Sequence, residues 1–580
     1  MDYRAFSYEP LQPRHIRVLE LTAPPQPSTI ISFSYAWGSV QKPCQMLLNG
    51  QILNITETVH DIFQSRITAD IDTRVWIDAI CINQEDLVEK AAQVGLMGEI
   101  YSNAESTRVW LGLADPNTNL AIQFTKTLFS ILPELKIGEP ERLNHYYTIY
   151  PDGCPEWQAL AHLLNRPWFT RTWVIQEVAL ATYADIVCGD AVLTWDVLET
   201  VMVGLNDLGF DGLVYTTTAT DSTEPVLMKG APGHDALLGL AFLRTLVKAG
   251  KPRPILRVMA TFQDSLTTEP NDKIYAVLGL ATDVDYPVFY PDYTKSPEAL
   301  FKDITMSLIK RDANLDSLRY AGLERGSGAS LKSSWSINYS SAKDFPIRIG
   351  HYPITTAEKP EFILSDNNNR LSLRGYIFDK VCQLGIICGS YEEGQTVGKD
   401  KSSNYVDWFH QARLIAQSTG RNEEVLWRTL LANRITDTKN YSLDVSTEKT
   451  PDQSWQRLFK AFESIYGLPL GKSAEEVRQL ITSHEGVEAI KYRGQMSRAI
   501  ASRRFCVLSS GSLGLMPSEA QLNDVVAAFL GASVLFVIRP LPGDGDGDLT
   551  YELVGECYVH DSMDGQVTDL GLESQDIVLV

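Results

Sequence analysis

Between Ile30 and Leu111 the chain alternates short apolar strands with helical stretches, and this alternation restricts the fold more than any other feature. Ile30–Tyr35 (IISFSY) is a β-forming run ended by the turn Ala36-Trp37-Gly38. Val59, Ile62 and Phe63 then share one face of a helix from Glu57 to about Ile67, and Val75–Ile77 is a second strand. Leu87, Ala91, Val94, Met97, Tyr101 and Ala104 advance in steps of three and four, which predicts one long amphipathic helix. Asn83 is placed to cap it, with Asp86 at its third position and Glu85 and Glu89 near the positive end of its dipole. Thr107–Leu111 is a third strand, closed by Gly112. Such an order requires parallel pairing with right-handed crossovers. Ligands of open parallel sheets bind beyond the C-terminal ends of the strands. Tyr35–Gly38 and Asp78–Gln84 leave the sheet at those ends and are the first residues to consider for a site.

A chain of 580 residues is too long for one hydrophobic core. The pattern divides into an α/β domain over 1–210 and a threonine-rich linker over 211–233. A mixed region follows over 234–400, helical at first and then β and loop, before a helical region over 401–500 and a small β-rich unit over 501–580. Helices are expected from Asp235 to Lys248, beyond Ala299, from Tyr405 to about Ile415 and from Trp455 to Tyr466. Strands are expected at Leu371–Phe378, Arg504–Leu508, Val534–Ile538 and Tyr551–Tyr558. The formal charge of -21, with no long Lys/Arg cluster, argues against nucleic acid and anionic membrane as partners. The longest nearly apolar run, Val525–Ile538, is interrupted by Gly531 and Ser533 and suits buried strands rather than a transmembrane segment. The N-terminus has no apolar signal core, and eight cysteines without a CxxC suit free thiols, so a cytoplasmic location is expected.

Familiar nucleotide and hydrolase signatures are missing: there is no GxGxxG after a strand, no GxxxxGK[ST] and no GxSxG. Asp544, Asp546 and Asp548 lack the Gly and Glu of a calcium loop, so no metal site is expected. The stretch RPWFTRTWVIQEVAL, Arg166–Leu180, is more informative. A helix starting near Thr170 puts Trp173 and Glu177 on one face, with Gln176 beside them. A carboxylate on a face suited to burial must be paired or carry a raised pKa. Either Arg166 or Arg171 pairs with it structurally, or it is held in a cleft for chemistry. Asp78 has the same two readings, as an acceptor orienting its own loop or as part of a polar pocket. Cys81, between Ile80 and Ile82, reads as a small buried hydrophobe.

These same stretches resemble the fungal heterokaryon-incompatibility (HET) domain family. ISFSYAWG (31–38), RVWIDAICINQEDLVEKAAQVGLMGEIYSNAESTRVWLG (74–112) and RPWFTRTWVIQE (166–177) match its three blocks, with DIVCGDAVLTW (185–195), NDKIYAVLGLA (271–281) and YPDYTKSP (290–297) following. The stretch from Ala501 to Gly565 resembles the usual tail. SSWSINY (333–339) stands where the family has a proline-flanked SWxPDW, and LNDVV where a Gly-Asp loop is usual. HET domains are similar to TIR domains, some of which cleave NAD with a glutamate in a W-x-x-x-E setting. The resemblance thus implies a flavodoxin/TIR-like parallel sheet and a role in self/non-self recognition or cell-death signalling, through protein partners or self-association. It also implies an alternative, an NAD glycohydrolase using Glu177, with Tyr35, Trp37, Gly38, Asp78, Asn83, Gln84, Arg171, Trp173 and Gln176 around a nucleotide-like molecule. NAD is then a substrate, and no cofactor is required. A third reading is a HET scaffold recruited to another enzymatic task, such as specialised metabolism.

Overall fold

The computed structural model describes residues 4–20, 30–65, 74–134, 149–151, 154–207, 232–263, 265–284, 287–323, 333–339, 352, 354–355, 359–364, 369–388, 401–435, 449–466, 484–542 and 549–580. The described residues up to Pro297 form one compact unit, and those from Glu298 to Val580 another. The expected linker 211–233 and the aspartates of the 544–548 loop lie almost wholly outside the described residues.

In the first unit, β1 (Leu19–Glu20), β2 (Ile30–Tyr35), β5 (Arg74–Trp76), β6 (Ser106–Trp110), β7 (Ala184–Cys188) and β8 (Ala191–Thr194) form a sheet ordered β1-β5-β2-β6-β7-β8. The central run β5-β2-β6-β7 is parallel, while β1 and β8 are antiparallel edges. A hairpin of β3 (Cys44–Leu48) and β4 (Gln51–Ile55) follows β2 as a separate two-stranded sheet. The sequence order of the strands reverses at β2, so the ends of β2, β5 and β6 converge where a parallel sheet opens its crevice. All of Ile31–Tyr35 is buried, as expected of a strand covered on both faces.

Two helix expectations are corrected. The predicted helix of 87–104 is two, Leu87–Val94 and Met97–Asn103, interrupted at Gly95-Leu96. Its cap is not Asn83 but Asp86, whose carboxylate accepts the backbone N–H of Val88 and Glu89, so the helix begins at Leu87, the first residue of its apolar stripe, and one turn later than a cap at Asn83 implies. Near Thr170 no α-helix starts either. Pro167–Thr170 is a 3-10 turn, and the helix runs only from Val174 to Ala179. The helix expected from Asp235 to Lys248 in a 234–400 region runs from Pro232 to Lys248 and falls in this first unit, as does an unexpected helix at Ile255–Thr261.

The second unit is built on β9 (Phe362–Leu364), β10 (Leu371–Ile387), β11 (Arg503–Leu508), β12 (Leu513–Pro517), β13 (Val525–Phe529), β14 (Leu535–Pro540), β15 (Thr550–Val559) and β16 (Gln575–Leu579). The 17-residue β10 pairs with β13 over Gly375–Lys380 and with β11 over Val381–Ile387, while its start pairs with β16 and β9. This closes the ring β10-β11-β12-β15-β14-β13, antiparallel throughout. Closure consumes the edges that six apolar strands would otherwise offer for aggregation. The β-rich unit is therefore larger than 501–580, because its longest strand lies 115 residues upstream of β11 in the same sheet. Helices Lys401–Ser418, Glu423–Leu430, Ser454–Tyr466 and His484–Ile500 occupy the interval, and Cys388 and Arg503 are joined by a backbone hydrogen bond where the chain returns. Inside the unit, Glu556 receives both Arg503 (2.7 Å) and Arg319 (2.9 Å), three charges withdrawn almost completely from water.

Candidate functional site

At the C-terminal end of β2 the chain presents Ser34 and Tyr35 on opposite faces, because successive strand residues alternate. The Ser34 hydroxyl donates to Glu177 Oε2 at 2.5 Å and accepts the Trp168 indole N–H at 2.8 Å. Tyr101, whose hydroxyl donates to the Phe33 carbonyl at 3.0 Å, also lies against the Glu177 carboxyl. Glu177 is 3% exposed, so it is enclosed rather than standing at an open mouth. Burial pushes its carboxyl up to about 7, against the lowering influence of Arg171, while the neighbouring Asp78 pushes the same way as burial.

Neither arginine proposed as its partner forms an ion pair with it. Arg166 binds Asp115 at 2.6 Å and the carbonyls of Leu111 and Leu113, and so fixes the loop after β6. The Arg171 guanidinium donates to the Tyr35 carbonyl and acts on Glu177 and Asp78 through space.

Asp78 begins a single helical turn, Asp78–Cys81, directly after β5. Its carboxylate takes the Tyr35 hydroxyl at 2.7 Å, the Trp37 indole N–H at 2.8 Å and the Ala79 N–H at 2.8 Å. Burial nevertheless raises its pKa, because desolvation outweighs those three donors. Gln84 donates to the Asp78 carbonyl at 3.1 Å, while the Asn83 N–H donates to Glu89 and its side chain receives the Glu85 N–H. Gly38 is exposed, with a φ of +68° that suits glycine, and Trp37 is half-buried. Tyr35 is 2% exposed and spends its hydroxyl on Asp78, which leaves Trp37 as the aromatic of the pair nearer solvent. Cys81 is buried, its thiol pushed up to about 12.

Trp173 and Glu177 do not share a partner. The Trp173 indole donates to Asp272 at 2.9 Å, and Asp272 also receives the Tyr293 hydroxyl at 2.9 Å. Gln176 is buried against the turn at Gly279, where a Cβ would lie 3.0 Å from its Oε1. At the other end of the helix, the buried Arg244 donates to the carbonyls of Val178 and Ala181. Arg244 and Asp272 thus hold both ends of the six-residue segment that carries Glu177. Neither they nor Ser34, Trp168 and Tyr101 figure among the sequence-derived site residues. The signal for Ser34 was present: a hydroxyl in a strand whose apolar neighbours bury both faces must find a partner inside.

Residues 31–177 match the heterokaryon incompatibility protein (HET) family, and residues 369–580 match the Het-6 beta-barrel domain. The chain is homologous to the fungal heterokaryon-incompatibility proteins. Heterokaryon incompatibility protein 6, OR allele, of Neurospora crassa is 26% identical over a 677-residue alignment that covers 98% of this chain and 96% of that protein. No solved structure matches. The HET match ends within the helix that carries Glu177, whereas the residues bracing it, Arg244 and Asp272, lie further along the chain. The Het-6 barrel match begins just before β10 and spans the closed ring. Among the described residues no helix is long and apolar enough to cross a membrane.

Proposed function

We propose that this protein acts in the fungal cytoplasm in self/non-self recognition, with its α/β unit as the signalling half. The observation that carries this reading is the pairing of a HET region with a Het-6 barrel, in an order that a heterokaryon incompatibility protein matches along nearly its whole length. The test is to express the chain in Neurospora crassa hyphae and fuse them with strains of differing genotype. Dye uptake and growth arrest are expected in some pairings and not in self-fusions. Uniform viability across all pairings overturns the proposal.

A second reading, NAD cleavage at Glu177, is supported by one arrangement. The parallel strands run in the order β5-β2-β6-β7, with the sequence order reversing at β2, and the W-x-x-x-E glutamate lies beside the end of β2 with Asp78 and Arg171 acting on it. Breaking the nicotinamide–ribose bond releases neutral nicotinamide and leaves oxocarbenium-like charge on the ribose, which a carboxylate stabilises until water adds. Near neutral pH Glu177 is shared between acid and anion, and Arg171 favours the anion. Its burial means that a substrate reaches it only when the enclosing residues part. Incubation with NAD should release nicotinamide, and E177Q should reduce that release by roughly two to three orders of magnitude in folded protein. Equal release by a folded E177Q variant removes Glu177 from the chemistry.

A further inference from the structure

We infer that Trp168 and Ser34 form a one-way hydrogen-bond relay that holds Glu177 by Oε2 and leaves Oε1 as the oxygen that gains and loses the proton. The direction follows from elementary donor inventories. An indole nitrogen can only donate, so the 2.8 Å contact from Trp168 makes the Ser34 oxygen an acceptor on that side. The single Ser34 proton is then free to point only at its other partner, Glu177 Oε2, 2.5 Å away. Trp168 and Ser34 are 1% and 0% exposed, so no solvent competes for either bond. An Oε2 already receiving a hydroxyl proton is the poorer place for a second one, and protonation falls to Oε1. Tyr101, whose proton goes to the Phe33 carbonyl, lies against the same carboxyl outside the relay and favours its anion.

Trp168 and Ser34 are thus positioning residues, acting through Glu177. The charged or titratable groups that also bear on Glu177 are Arg171, Asp78 and Tyr101, and none belongs to the relay. The relay rests on Glu177 being the proton-carrying carboxyl of this site and does not require NAD.

The decisive experiment follows the protonated-carboxyl infrared band of Glu177 against pH in the full-length protein, as a difference from E177Q. In S34A the anion loses a donor, and the titration midpoint should rise. In W168F the Ser34 hydroxyl loses the partner that turns it towards Glu177, and the midpoint should rise by a smaller step. The double variant should rise no further than S34A alone, because Trp168 acts only through Ser34. Benzothienylalanine at position 168, isosteric with tryptophan but lacking the N–H, should reproduce the W168F shift without a packing change. Ser34→Thr, which keeps the hydroxyl, should leave the midpoint in place. Unmoved midpoints in S34A and in the benzothienyl variant overturn the relay, as do shifts that add in the double variant. The band is read whether or not nicotinamide is released, so a wild-type protein inert towards NAD removes that reading alone while the relay is judged on the carboxyl.

Discussion

Glu177 is a carboxyl whose native pKa of about 7 lies above the value of about 4.3 for an unfolded glutamate. Between those values the folded protein keeps a proton that the unfolded chain has released. The Glu177 contribution is therefore fully present below about pH 4.3 and lost as pH rises through about 7. At about 1.4 kcal/mol per pKa unit, the contribution is on the order of 4 kcal/mol. E177Q should remove this slope: the amide carbonyl takes the Ser34 bond and the NH2 stands in for the acid O–H. Urea midpoints of wild type and variant, compared from pH 5 to pH 8, should diverge with the variant the more stable at pH 8. A variant less stable than wild type at every pH would show that the charged form is the one the fold prefers. The sequence made Glu177 legible as a buried carboxylate needing a partner or a raised pKa. It did not show which, because Arg166 and Arg171 both precede it in the same stretch and only the fold sends the first to Asp115 and the second to the Tyr35 carbonyl.

Among the elements, the three central strands were legible because their apolar runs are short and bounded by turn residues. Helix ends were not, because periodicity continues across a break. The Leu87–Ala104 stripe keeps its spacing through Gly95-Leu96, yet the backbone divides there. Asp86→Ala should cost about 1 kcal/mol through the lost cap, whereas Asn83→Ala, which removes one 3.3 Å bond from the Glu85 N–H, should cost distinctly less in the same thermal melts. The second half of that stripe explains two glycines whose role the sequence left silent. A Cβ on Gly98 would lie 2.9 Å from the Gly279 Cα, so helix Met97–Asn103 and the turn after helix Asp272–Tyr275 touch backbone to backbone. Gly98→Ala should force them apart and destabilise the unit by about 1–3 kcal/mol. Gly250→Ala is the useful contrast: it carries a φ of +60° with nothing within 4 Å, so it tests backbone strain without a clash. Comparable losses for the two would remove the close approach as an explanation.

For the whole molecule, the sequence indicated more than one domain and an α/β region ahead of a β-rich one, but it could not show which distant segments complete each. β10 is separated from β11 by 115 residues, whose described part is mostly helical, and only their pairing shows that they share a barrel. In the first unit the same holds for Asp272 and Arg244, which reach back to Trp173 and to the carbonyls of Val178 and Ala181. A fragment ending at residue 210 keeps every strand of the six-stranded sheet, yet it loses both of these braces and the Gly279 turn that covers Gln176. It leaves the Trp173 N–H and the last carbonyls of the Glu177 helix without their native partners, and each such buried group costs about 1–3 kcal/mol. Together these losses approach the whole stability of a domain, about 5–15 kcal/mol. Fragment 1–297 should therefore unfold cooperatively in circular dichroism melts, whereas 1–210 should be insoluble or melt without a defined transition. If 1–210 melts as sharply and at the same temperature as 1–297, the braces are dispensable and the α/β fold is complete without them.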